Sequence, residues 1–193
     1  MIDEAIKFIE KELNGFFRLR LGSIEDKAVA SALVNQDGTP ALREENKVII
    51  MLIDLQEEGV LKNTGVQHSL RNGGFVRSPL PVHLNLYVLF GAYFSAGNYQ
   101  EALKYVSEVI RFFQVRTVFD RSGFPALQNT AIEKLVFEMY HPDYQARNNL
   151  WSTIGAKYIP SVIYKVKMLT IREENMAQEI PGISGLDQNP GTV

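Results

Sequence analysis

The side chains best suited to proton or metal chemistry are three histidines, His68, His83 and His141, and three adjacent carboxylate pairs, Glu44 with Glu45, Glu57 with Glu58, and Glu173 with Glu174. A zinc site needs three or four converging ligands, usually announced by a short fixed spacing such as HExxH or by a Cys/His cluster. Here one histidine lies in a Gly- and Asn-rich stretch, one in an apolar run, and one beside Pro142. No metal site is expected from them. Paired carboxylates act as acid and base only when held across a substrate at a defined separation. Neighbours on a strand point to opposite faces, so Glu57 and Glu58 read as residues that solvate a strand end. Gly22, Gly73, Gly74 and Gly182 lie in no GxxxxGKS/T or GxGxxG arrangement, and no serine sits in a GxSxG elbow. The expectation is a protein that is not an enzyme and needs no cofactor.

Composition narrows the class further. The chain has 193 residues, 46% of them hydrophobic, which suits one core better than two. Twenty basic residues against 22 acidic ones leave a formal charge of -2, so no bulk field gathers nucleic acid or an anionic membrane. Cysteine is absent, which removes disulfides, thiolate nucleophiles and thiolate-bound metals. The opening MIDEAIKFIEKELN places acids where a signal peptide needs a basic start. The most apolar stretch, Val82 to Phe94, is broken by His83 and Asn85 and is too short to span a bilayer as a helix. Neither nucleic-acid binding nor stable membrane insertion is expected.

The elements that would position any site follow from periodicity. Ile2, Ile6, Ile9, Leu13 and Phe16 recur at helical spacing, with Glu10, Lys11 and Asn14 turned away, which predicts a helix from Ile2 to about Phe17. A short strand is expected between Val29 and Val34, before a turn around Asp37, Gly38 and Pro40. Lys47 to Glu58 reads as a central strand that emerges into solvent where Asp54, Gln56 and Glu58 begin to alternate. Gly59 to Pro81 holds many chain breakers and reads as a hairpin extension or mobile loop. In the next run, Val82, Leu84, Leu86, Val88, Phe90 and Ala92 share one face and Tyr87, Leu89 and Tyr93 the other, as in a strand through the middle of a sheet. A second helix follows Asn98, with Ala102, Leu103, Val106, Val109, Ile110 and Phe113 as its buried stripe. Ala131 to Tyr140 is a strand, Asp143 caps a third helix that Gly155 ends, and Ser161 to Arg172 is the last long strand. The fold class is therefore α+β, a mixed and mainly antiparallel sheet packed by helices, in one domain over 1–174. Residues 175–193 read as a loose tail that becomes ordered on a neighbour.

Candidate contact residues emerge from this layout. Lys165 and Lys167 share a strand face, with Arg172 farther along, and could meet an acidic neighbouring subunit; the bland alternative is an ordinary solvated face. Trp151, beside Leu150 and Ile154, is either a core anchor or an interface hot spot.

Six segments taken together resemble one family: MIDEAIKFIEKELN, ENKVIIMLIDLQEEG, PVHLNLYVLFGAYF, YQEALKYVSEVIRFFQ, IEKLVFEMY and NNLWSTIGAKYIPSVIYKVKMLTI. They are similar to the cap, or tail-terminator, proteins of extracellular contractile injection systems, as in the antifeeding prophage and the Photorhabdus virulence cassettes. The resemblance extends to about Arg172; Gly59 to Pro81 looks particular to this chain. It implies a tail-terminator-like fold and a subunit of a sixfold homomeric ring at the distal end of the inner tube and sheath, ending their growth and stabilising the extended particle. The implied partners are its own copies, the inner tube protein and the sheath protein. The implied location is the cytoplasm during assembly, then a phage tail-like particle that can be released. Two other readings stand beside it: a soluble ligand-binding or regulatory module with a pocket between sheet and helices, and a small hydrolase with an unconventional carboxylate site.

Overall fold

The computed structural model describes residues 1–58, 68–71, 74–77, 83–170 and 178–180. It begins with helix α1 (Ile2–Leu21), which stops at Gly22 in the left-handed conformation that lets the cap N–H return to the Arg18 carbonyl. Strand β1 (Ala28–Ala30) follows, then β2 (Lys47–Glu57), β3 (His68–Arg71), β4 (Gly74–Arg77) and β5 (His83–Tyr93). Helix α2 (Tyr99–Val115), β6 (Val118–Asp120), β7 (Ile132–Tyr140), α3 (Tyr144–Ile154), β8 (Ser161–Thr170) and β9 (Gln178–Ile180) complete the order.

Six strands form the main sheet in the order β1-β2-β5-β8-β7-β6. Only the β1 to β2 pairing is parallel; the others are antiparallel, giving the mixed, mainly antiparallel α+β fold that the periodicities predict. The two long apolar strands, β5 and β8, lie in the middle, where both faces are covered over part of their length.

The sheet is curled around its helices. Asn14 of α1 bonds both main-chain groups of Ala28 on β1, with Nδ2 donating to the carbonyl at 2.9 Å and Oδ1 accepting from the amide at 2.8 Å. Phe8, six residues earlier on the same helix, packs edge-on against Phe119 of β6, at 5.7 Å between ring centroids. Those two helix positions are about 9 Å apart along the axis. The outer strands of a flat six-stranded sheet would be about 24 Å apart. Both edges can reach one stretch of α1 only if the sheet bends toward it.

The larger core fills the concave side. Phe8, Ile9, Leu13 and Phe17 of α1 and Tyr105, Val109 and Phe113 of α2 meet Val48, Val88, Phe90, Phe137, Tyr164 and Val166 of the sheet. Phe113 stacks on Phe137 at 4.3 Å, and its ring also lies 4.5 Å from that of Tyr164. Three expectations are corrected here. Asn14 is buried, because it is the residue that ties α1 to the short edge strand. The first helix runs a full turn past Phe17. Leu103 remains 44% exposed, while Ala102, Tyr105, Val109 and Phe113 form the buried line. At 3.6 residues per turn Leu103 sits roughly 115° from the centre of that line, too far round to reach the sheet.

The Gly59 to Pro81 segment contains an antiparallel hairpin of β3 and β4, and β9 pairs with β4 to make a second, three-stranded sheet. The remainder of that segment lies outside the described residues, as do 171–174 at the end of the expected domain and 175–177 and 181–193 of the expected tail, of which β9 is the described part.

Candidate assembly surface

The convex face of the main sheet divides into a covered and an open half. Near the start of β8, Ile163 joins Leu33, Ile49, Leu89 and Trp151 in a second apolar cluster, to which Met51, Ile53, Tyr93 and Ile159 add. Trp151 is supplied by α3. Asp143 caps that helix by accepting from the Ala146 amide at 2.7 Å, and Gly155 closes it with φ of 73°. Trp151 is 7% exposed and meets Tyr158 edge-on, at 5.4 Å between rings. It is the one fully buried residue of α3, and Leu150 and Ile154 of the same helix pack, half-buried, against the cluster beside it.

Farther along the same face, the side chains change character. Val162, Tyr164, Val166 and Met168 point into the larger core, so by strand alternation Lys165 and Lys167 point outward with Ile163. On the neighbouring strands Lys165 is opposite Tyr87 and Glu138, and Lys167 is opposite Asn85 and Val136. Lys167 Nζ reaches Glu138 Oε1 at 2.6 Å. That hydrogen bond, more than the charge itself, raises the lysine pKa above its ordinary value. Tyr87 packs edge-on against Tyr140 at 5.0 Å, and its hydroxyl lies 3.4 Å from Gln56 Oε1. A bulge between Leu52 and Asp54 in β2 resets the alternation, and Asp54 and Gln56 then stand opposite Tyr87 and Asn85. The result is a band of polar and tyrosyl side chains across β2, β5, β8 and β7, chemically suited to a wet protein contact.

Lys165 and Lys167 thus lie together on a half-exposed part of the sheet face, Trp151 lies under the covered half of the same face, and Arg172 lies outside the described residues. Glu138 and Asn85 were not legible as partners of this band. Asn85 is buried and donates through Nδ2 to Glu58 Oε2 at 3.0 Å. The only sequence signal was a polar residue interrupting an apolar run; naming its partner requires the strand register.

Among the described residues no group of three or more His, Cys, Asp or Glu is placed to hold a metal ion. No described helix is long and apolar enough to cross a membrane. His68 opens β3, His83 opens β5 and His141 lies just past the end of β7.

Comparison with known proteins gives this surface a context. The model of the Pvc16 N-terminal domain family matches residues 5–184. No curated protein sequence matches the chain. Among solved structures, the sheath/tube terminator of an extracellular contractile injection system, in its extended state, superposes with a TM-score of 0.55 at 13% identity over 96% of this chain. The tube-terminating cap of the anti-feeding prophage does so with a TM-score of 0.55 at 15% identity, again over 96%. The chain spans 62% and 60% of the lengths of those two proteins. At such identities the likeness establishes the fold, a terminator-like α+β sheet curled on its helices, and the family match covers all four strands of the band and the helices behind it. The chain belongs to the Pvc16 N-terminal domain family.

Proposed function

We propose that this protein is a structural cap subunit: it assembles as a homomeric, sixfold ring at the distal end of a contractile particle, meets inner tube and sheath, and stops their growth. The observation that carries this reading is a family match over residues 5–184 together with a shared fold over 96% of the chain with two proteins described as terminators. The band around Lys165, Lys167, Glu138 and Tyr140 supports it, because aromatic and charged side chains on a half-exposed sheet face suit a subunit contact. Arg172 and the tail after Asn175 are assigned to the same assembly role, with Lys165 and Lys167 guiding an acidic neighbour. Assembly takes place in the cytoplasm, and the finished particle can leave the cell.

The test combines mass measurement with particle imaging. The purified chain should give a species of six copies, and particles assembled without it should show uncontrolled tube lengths or unstable sheaths. A strict monomer that leaves particle length unchanged when omitted would remove the reading.

A further inference from the structure

Strand register sets Glu138 of β7 directly opposite Lys165 of β8, with Lys167 on the diagonal. Side chains directly opposite stand about 4.5–5.5 Å apart at Cβ, and diagonal ones about 7–8 Å. The acid nevertheless bonds the farther lysine: Glu138 Oε1 accepts from Lys167 Nζ at 2.6 Å. Lys165 is thereby left without its register partner. It is half-buried, and among the described residues it forms no ion pair.

The acids described nearby are already engaged. Tyr87 stands opposite Lys165 on β5, and its ring meets that of Tyr140 from β7 across β8, at 5.0 Å. Asp54, one strand farther out and opposite Tyr87, uses both oxygens: Oδ1 accepts from the Leu55 amide at 2.8 Å and Oδ2 from the Gln56 side chain at 2.7 Å. Glu58, farther along the face, accepts from Asn85. A partly desolvated ammonium between a ring pair and a closed ion pair lacks the counter-charge that its burial calls for.

The chemistry of the missing partner follows from these neighbours. A polyanion such as nucleic acid or an anionic membrane would bring many charges to one free cation, and Glu138 and Asp54 on either side would repel them. A single carboxylate set among aromatic or apolar side chains fits instead, and protein surfaces carry that combination. We infer that Lys165 receives a carboxylate from an adjoining protein subunit, and that Lys167 is the positioning residue that keeps it available by drawing Glu138 away. This rests on the ring reading and names one of its contacts. Water excluded at such a contact strengthens the pair, because the interaction grows as the surrounding dielectric falls.

A water-soluble carbodiimide joins a lysine amine to a carboxylate in contact with it and leaves no spacer. Particles assembled with an equal mixture of isotopically light and heavy chain are treated with it and read by peptide mass spectrometry. The parent should give Lys165 joined to an aspartate or glutamate of another chain, at least fivefold above any product of Lys165 with Glu138 of its own chain. Lys167→Met should invert that ratio, because Glu138 falls back on the lysine opposite. Adding Glu138→Gln to Lys167→Met should restore the product between chains. Lys165→Met should lower the assembled fraction at least fivefold while the melting temperature stays at or above the parent's, since an apolar chain of similar length replaces an unpaired half-buried charge. Lys165→Arg should keep the assembled fraction. A Lys165 product confined to its own chain, no product at Lys165, or a Lys167→Met ratio equal to the parent's overturns the assignment. Mass measurement separates the two readings: closed six-copy rings without a Lys165 product between chains sink the lysine contact alone, whereas that product in chains that never close into a ring sinks the ring alone.

Discussion

Asn14 replaces a missing piece of sheet. β1 is three residues long, and its Ala28 has both main-chain polar groups paired to one buried amide side chain. Removing a partner from a buried polar group costs about 1–3 kcal/mol for each group left unpaired. Asn14→Ala should therefore lower the denaturant midpoint markedly, and Asn14→Asp should not recover it, because a carboxylate cannot donate to the Ala28 carbonyl. Equal midpoints for Asn14→Ala and the parent would show that water replaces the amide at no cost. Tyr164 gives a pH prediction. Burial in the aromatic cluster pushes its phenol up to about 12 from an ordinary value of 10.0. The folded state then holds a proton that the unfolded chain releases, so the stability this group contributes is complete below pH 10 and is lost as pH rises toward 12. The total loss is on the order of 3 kcal/mol. Alkaline unfolding curves should show Tyr164→Phe losing less stability than the parent between those limits; identical curves would place the titration elsewhere.

At the scale of elements, α2 and α3 are held in opposite ways. α2 buries a line of side chains ending in Phe113, which touches Phe90, Phe137 and Tyr164. Phe113→Ala should cost about 3–5 kcal/mol, as large aromatic truncations in cores do. Leu103→Ala, on the exposed flank, should stay below about 1 kcal/mol. Chemical denaturation of the pair checks the helix orientation, and a reversed order would refute it. α3 buries Trp151 fully and Leu150 and Ile154 only in part, so its cap carries a larger share of its stability than α2's does. Asp143→Ala should cost about 0.5–2 kcal/mol. The loss should show in hydrogen exchange as faster opening of 144–154 before the rest of the chain opens. Uniform exchange across the sheet and α3 would mean that Trp151 alone sets the helix stability.

The whole molecule is closed by α1. Because that helix touches β1 through Asn14 and β6 through Phe8, the two sheet edges are coupled through one core. Unfolding should be a single transition, with tyrosine and tryptophan fluorescence and far-UV circular dichroism giving coincident midpoints. Trp151 reports the convex cluster and the backbone signal reports the rest, so separated midpoints would show that the two apolar clusters melt independently. Deleting the chain after Asn175 also removes β9 from the three-stranded sheet but leaves the six-stranded sheet whole, so that midpoint should stay unchanged while assembly is altered.

Periodicity alone determined the long strands, the three helices and the α+β class, because each depends on a repeat of two or of 3.6 that a core face imposes on neighbouring residues. The caps at Asp143 and Gly155 were legible for the same reason, being local chemistry. The pairing of Lys167 with Glu138 was not, since 29 residues separate them and only the β7 to β8 register brings them together. Nor was the side on which Leu103 lies: the apolar stripe of α2 is wider than the surface it covers, and the position of the sheet chooses among its residues. The burial of Asn14 belongs to the same class, because an amide in a helix gives no sign of the edge strand it will satisfy. The bend of the sheet was likewise decided in three dimensions, by which side chains on α1 the two outermost strands could reach. Local repeats carry the identity of elements; the partners of a side chain depend on residues far away in sequence, which only the folded chain brings close.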